Sequence, residues 1–467
     1  MPGKFQKINE TDKKTKISNI EEFMFKKISI WVLLLIIVLG LLFTLWFGYL
    51  VTNSKTAFKI ATGPDIIKRI FFEMKDPGLS LYIKDSPHIN KPRFKRIIKN
   101  KRKELLLLSR YDGNLKRSVV EIINLNSFSV LHTYKPNIDE INNKTDTDRE
   151  EFKTLLVDRS PKRYQMTHPL INSNGDLLFQ SDSPLVKTDF CSNLLWVNDE
   201  DNFHHSNNVD YEGNYWVPSK IFPYSLDKEL VGDEIDKYHD DAITKISKDG
   251  KILYQKSVTK ILIENGYKSL IFGDNFSSDP IHLNDIEPTL NDSKYWEKGD
   301  LFLSLKHKSI ILHFRPRINQ LINIIRGPFF YQHDVDIISD EEISIFNNNY
   351  LETQYGERIL SNSNSEVVIY NFQKQQFYQK FGESMKNHSV KTQSGGLSEI
   401  LDDGSMLVDS ESSGRILFFD KNGDLEWEFV NKADNDRIYY INWVRVIKNK
   451  QLIEDVKQKI QNTRCTN

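Results

Sequence analysis

The sequence predicts an all-β, six-bladed β-propeller preceded by a single N-terminal transmembrane helix. Three observations predict it. A charge-free apolar stretch runs from Ile28 to Val51, a strand–turn–strand unit recurs six times after residue 100, and histidines fall at one point of that unit. A chain of 467 residues with 12% aromatic residues can bury a large core. Its net charge of −1 carries no nucleic-acid signature.

The stretch ISIWVLLLIIVLGLLFTLWFGYLV exceeds the ~20 apolar residues that a bilayer core requires. Trp31, Trp46 and Tyr49 lie near its ends, where amphipathic rings favour the interface. A cleaved signal has a shorter apolar region and a small-residue cleavage site, so an uncleaved anchor is expected. Lys4, Lys7, Lys13, Lys14, Lys16, Lys26 and Lys27 precede it, and the following flank is less basic. The positive-inside rule then puts the N-terminus in the cytoplasm. The resulting organisation is a basic cytoplasmic N-terminus (1–27), an anchor (28–51), a connector with a short helix around Asp65–Lys75 and a strand LSLYI (52–100), a propeller (101–450) and a C-terminal tail (451–467). The protein is thus expected at the cell membrane, single-pass, with its propeller periplasmic or otherwise extracytoplasmic. Over Gln451–Lys459 a short packed helix and a mobile tail both remain open. Cys191 and Cys465 are the two cysteines; a disulfide would tie the tail to the second repeat, and two free thiols are the alternative.

The repeats begin with ELLLLSRYDG, NGDLLFQSD, EGNYWVPS, KGDLFLSLKHKSIILHF, EEISIFNNN and DGSMLVDS, each followed by further strands. Short Val/Ile/Leu/aromatic runs bounded by Asn, Asp and Gly are strands and turns. Six such units of uneven spacing suit a propeller, whose blades are small sheets with loops that absorb length differences. A β-sandwich also has evenly spaced strands, but it does not explain the histidines. THPLINSNGD carries His168, FHHSNNVDYEGN carries His204 and His205, DPIHLNDIEP carries His282, and YQHDVDIISDEE carries His333, each ahead of its turn. The sixth unit has GGLSEILDDGS, with glycine instead. Innermost strands line a propeller's axis, so these imidazoles are expected around one funnel. Imidazole there serves as base, nucleophile or metal ligand; Asp210, Asp285 and Asp334 nearby keep a metal open at this point. Nucleophilic use calls for cations to stabilise the group in flight, and Lys306, His307, Arg315, Arg317 and Arg326 are the candidates.

The blocks HHSNNVDYEGNYWV, DPIHLNDIEP, LSLKHKS, GPFFYQHDVDII followed by ISIFNNN, and GGLSEILDDGSMLV with GRILFFDKNGDLEWEF resemble, in order, those of the arylsulfotransferase family. The resemblance covers roughly residues 190–450, and the QHD block followed by SIFNN is its most specific part. It implies transfer of a sulfuryl group from a phenolic sulfate ester to a phenolic acceptor through a sulfohistidine, without a nucleotide sulfate donor, a cofactor or a metal. His333 matches the nucleophile, His205 (or His204) and His282 the supporting histidines, and Lys306 the family's cationic residue. His168, His204, His307 and Arg326 are placed as substrate contacts. Lys306 stands where the family has a guanidinium, so a bidentate fork becomes a point charge. Two rival functions follow from the same residues: a non-catalytic, envelope-anchored propeller that binds an anionic ligand or partner protein, and a metal-dependent hydrolase or lyase.

Overall fold

The computed structural model describes residues 30–53 and 81–465, interrupted at 85, 147–148, 150–159, 233–237, 274–276, 353–357 and 361–363. The expected helix around Asp65–Lys75 lies outside the described residues. Residues 1–76 and 77–467 form separate compact units. The first contains the helix Ile30–Asn53. Its side chains are described over 31–46, all exposed. No helix long and apolar enough to cross a membrane is established among the described residues.

The second unit is a six-bladed propeller. Blade two is the sheet Thr167–Ile171, Leu177–Gln180, Leu185–Thr188 and Leu194–Asn198, running outward from the axis. Blade three follows with Asn208–Val209, Tyr215–Lys220, Asp241–Ile246 and Ile252–Ser257. Blade four is Leu283–Pro288, Leu301–Leu305, Ile310–Arg315 and Gln320–Ile325. Blade five is Val335–Ser339, Glu342–Asn347, Glu366–Asn371 and Gln376–Gln379. Blade six is Leu397–Ile400, Met406–Ser410, Arg415–Phe419 and Leu425–Val430. Blade one is built from both ends of the unit. Its innermost strand, Ile441–Ile447, pairs antiparallel with Leu105–Asp112 (Leu105 opposite Ile447), ahead of Arg117–Asn124 and Ser129–Tyr134. The N-terminal side closes the ring a second time: Phe94–Arg96 adds a fifth strand to blade six, Phe94 opposite Phe429. The basic run around it is therefore partly structural, with Arg102 paired to Glu426 at 2.6 Å and Lys91 to Glu428 at 2.7 Å.

Strand alternation explains the continuous apolar runs. Leu105 and Leu107 pack toward blade two with Leu177 and Phe179, whereas Leu106 and Leu108 pack toward blade six with Phe418 and Trp427. A strand buried on both faces has no polar face to show. Each gap between blades holds such a layer, and a fully buried Leu or Phe contributes about 1.5–3 kcal/mol. Buried carboxamides and carboxylates clasp neighbouring blades through backbone groups that would otherwise be unpaired. Asn431 donates to the carbonyls of Tyr111 and Tyr440, Val335 N donates to Asp285, and Val446 N to Glu399. The tail is the helix Lys450–Asn462, capped by Asn449 and seated through Ile453 and Val456. Cys191 and Cys465 form a disulfide, which resolves the alternative left open by the sequence.

Candidate active site

The innermost strands of five blades start with a shared kink. His168, His205, His282, Gly396 and Trp443 all have positive φ, between 48° and 82°. Left-handed backbone is costly for any residue with a Cβ, by roughly 1–3 kcal/mol, and persists where the surroundings over-determine it. Here the surroundings are hydrogen bonds to the kinked residue's own carbonyl. Asn207 Nδ2 donates to His168 O at 2.8 Å, Gln180 Nε2 to His205 O at 2.5 Å, and Lys306 N to His282 O at 3.1 Å. Blade five differs: Tyr331 carries the positive φ, and His333 N donates to Phe346 O at 2.9 Å.

The rings then meet. His205 lies 5.2 Å from His282 and 5.4 Å from His333, centroid to centroid. The Trp443 indole stands between His333, at 4.6 Å, and His168, at 3.8 Å, so His168 joins the cluster through that indole. Lys306 follows the second strand of blade four, in the turn Lys306–Lys308, which brings its Nζ to 3.4 Å from His282 Nε2 and over the Tyr331 ring at 5.7 Å. His307, the next residue, packs on His282 at 4.5 Å and has Nδ1 at 2.7 Å from the Asp279 carbonyl. Asp279 Oδ2 lies 2.7 Å from His282 Nδ1. His204 has its Nδ1 2.7 Å from His205 Nδ1 and its Nε2 3.3 Å from Asp241 Oδ1.

Three arginines are corrected by the hairpin geometry. Arg315 and Arg317 lie at the opposite end of the strand Ile310–Arg315 from the Lys306 turn, with Arg315 on Asp300 at 2.7 Å and Arg317 on Glu297. Arg326 follows the outermost strand of blade four and is exposed, with no contact to the cluster among the described residues.

Burial sets the charge state. It holds His168, His205 and His333 well below the ordinary imidazole range, with neighbouring cationic or imidazole groups adding to the effect. His282 is pulled down to about 4 by burial, against the Asp279 carboxylate, which raises it, and with Lys306, which lowers it further. At neutral pH His168, His205, His282 and His333 are therefore uncharged imidazoles. His333 Nδ1 is buried with no hydrogen-bond partner among the described residues. In the tautomer protonated at Nε2, that nitrogen offers its lone pair without first breaking a bond. Asp279, His282 and His307 bring donor atoms within 4.8 Å of one another, close enough for a metal ion. They also satisfy each other as hydrogen-bonded pairs.

Sequence reasoning did not find Trp443, Tyr331, Asp241 or Asp279. Only Asp279 had a local signal, its three-residue spacing from His282.

The arylsulfotransferase (ASST) family profile matches residues 168–432, more than half of the chain. The chain belongs to the arylsulfotransferase family. The matched span begins at His168 and includes every clustered histidine and Lys306, but stops short of Trp443. Among curated proteins no significant match exists. Solved structures with a similar chain path include a protein of unknown function from Bacteroides caccae (12% identity, TM-score 0.45, covering 74% of this chain and 99% of that one). TolB from Acinetobacter baumannii is another (7% identity, TM-score 0.41, covering 73% and 66%). Neither likeness bears on activity.

Proposed function

We propose that this propeller transfers a sulfuryl group from a phenolic sulfate ester to a phenolic acceptor through a sulfohistidine at His333. The carrying observation is the convergence of His205, His282, His333 and Lys306, from three blades, with an unpaired nitrogen on His333. In the first half-reaction a His333 ring nitrogen attacks sulfur, the S–O bond breaks, and the departing phenolate takes a proton from the Lys306–His282 pair. In the second, the acceptor phenol loses its proton to a pocket base, its oxygen bonds sulfur, and the S–N electron pair returns to His333. Positioning and fixed charge supply most of the catalysis, as in phosphoryl transfer.

The test is a burst. Mixed with a chromogenic aryl sulfate and no acceptor, the protein should release one equivalent of phenol and carry a sulfuryl group on the His333 peptide in mass spectra. No burst across a broad donor panel contradicts the proposal. A Lys306→Ala change should lower kcat by about 10²–10³-fold, the usual cost of one charge-stabilising donor, and Lys306→Arg should not lower it. The kcat/KM profile for donor should show no fall near 6.5, because burial holds the His333 nucleophile well below the ordinary imidazole range. The sign follows from the lowered pKa values: the neutral, nucleophilic form persists into acid and is lost only as pH falls through the lowered values. A drop centred on 6.5 contradicts this.

The point charge of Lys306 favours one second reading, an envelope propeller that binds a sulfated ligand without turning it over. Binding of an aryl sulfate with no burst would select it. The membrane anchor and extracytoplasmic placement belong to the same proposal. They are supported by the exposed apolar run 31–46, its basic N-terminal flank and the disulfide, a bond that persists in oxidising compartments.

A further inference from the structure

We propose that Asp241, acting through His204, fixes the tautomer of His205 so that His205 keeps a bare Nε2 beside His282 and His333. The proposal rests on the sulfuryl-transfer reading for its kinetic consequence, but not for its chemistry. Asp241 begins the third strand of blade three and is 1% exposed. Its Oδ2 accepts from Leu283 N at 2.8 Å, which leaves Oδ1 facing His204 Nε2 at 3.3 Å. His204 is 3% exposed, and neither its Nε2 nor Asp241 Oδ1 has a hydrogen-bond partner among the described residues, so the two atoms face each other at ion-pair distance. A nitrogen lone pair aimed at a buried carboxylate is repelled, whereas an N–H is attracted, so the proton of a neutral His204 sits on Nε2. His204 Nδ1 is then an acceptor. The ring nitrogen 2.7 Å away, His205 Nδ1, must carry the hydrogen between them. The other His205 nitrogen, Nε2, is left with a lone pair on a ring packed against His282 and His333.

The arrangement makes His205 the pocket base of the second half-reaction. The acceptor O–H bond breaks and its proton goes to His205 Nε2. The oxygen–sulfur bond forms as the sulfur–nitrogen bond to His333 breaks, its electron pair returning to the ring. The proton then returns by way of His282 to the lysine that donated one in the first half-reaction. Asp241 and His204 touch no substrate and are positioning residues. Asp241 also ties Leu283, the neighbour of His282, to blade three, so one carboxylate aligns two of the histidines.

Asp241→Asn is a near-isosteric reversal. Its Oδ1 keeps the bond to Leu283 N while its amide N–H now faces His204 Nε2. That turns His204 Nδ1 into a donor and drives the His205 proton onto Nε2. The experiment is nitrogen–proton correlation of the full chain labelled with ¹⁵N-histidine, alongside transient kinetics. We expect His205 protonated at Nδ1 in the parent protein and at Nε2 in Asp241→Asn. The variant should keep the donor burst and lose about 10²–10⁴-fold in the acceptor-dependent step, the range for a general base or a wrong tautomer. A parent protein with His205 protonated at Nε2 overturns the proposal without recourse to any variant. So does an Asp241→Asn protein whose His205 tautomer is unchanged. The expected tautomers in a protein that shows no burst would sustain the relay and overturn only the transfer reading.

Discussion

His333→Ala abolishes turnover: kcat for aryl sulfate falls by about 10⁴-fold or more, because a covalent route cannot proceed without its nucleophile. The loss should occur at the burst itself, which separates His333 from residues that act later in the cycle. Folding is not the expected cause. His333 is buried, its side chain makes no hydrogen bond among the described residues that the change would orphan, and its backbone bond to Phe346 O survives the substitution. The truncation leaves a space beside the Trp443 indole that a free imidazole can occupy. Added imidazole should therefore restore part of the phenol release in His333→Ala and none in Lys306→Ala, where the missing group is a charge. A full burst in His333→Ala would place the covalent group elsewhere.

The fold was legible because its physics is local. A run such as Leu105–Leu108 is apolar at every position only if both faces are buried, and turns such as Asn174-Gly175 and Asp249-Gly250 mark where each hairpin reverses. Histidines were legible as a group because the propeller converts one repeat position into one axial position. What could not be read was whatever the ring closure decides. Ile441–Ile447 is last in the sequence and innermost in blade one, so Trp443 reaches the histidines from a strand outside the repeat register. Phe94–Arg96 similarly falls in a segment read as connector. Asp241 lies far along the chain from the histidine it faces, and no spacing announces that contact. The arginines were misassigned for a simpler reason. Sequence proximity to Lys306 says nothing about which end of a β-hairpin a side chain occupies, and Arg315 and Arg317 lie one strand length away, held by Asp300 and Glu297.

Removing the disulfide should cost stability and leave the chemistry intact. The Cys191–Cys465 bond closes a loop of 274 residues. On the chain-entropy account such a loop is worth about 5 kcal/mol, against roughly 2–4 kcal/mol measured for most disulfides. Its position makes the upper part of that range reasonable. The helix Lys450–Asn462 directly follows the strand that closes blade one, and packs Ile453 and Val456 beside Tyr134 and Phe190 at the seam between blades one and two. The bond fastens the far end of that helix to blade two, so fraying of the C-terminus cannot travel back into Ile441–Ile447. The double change Cys191→Ala, Cys465→Ala should lower Tm by roughly 3–10 °C in calorimetry. A reductant should lower Tm of the parent by a similar amount and leave the double variant unchanged. At 25 °C the burst should survive in both, because Trp443 is still held by the ladder to Leu105–Asp112. Near the lowered Tm it should fail first in the reduced protein, as the closing strand and its indole leave His333. A parent protein whose Tm is indifferent to reductant would mean that the tail is not stapled, and would remove one of the supports for an extracytoplasmic propeller.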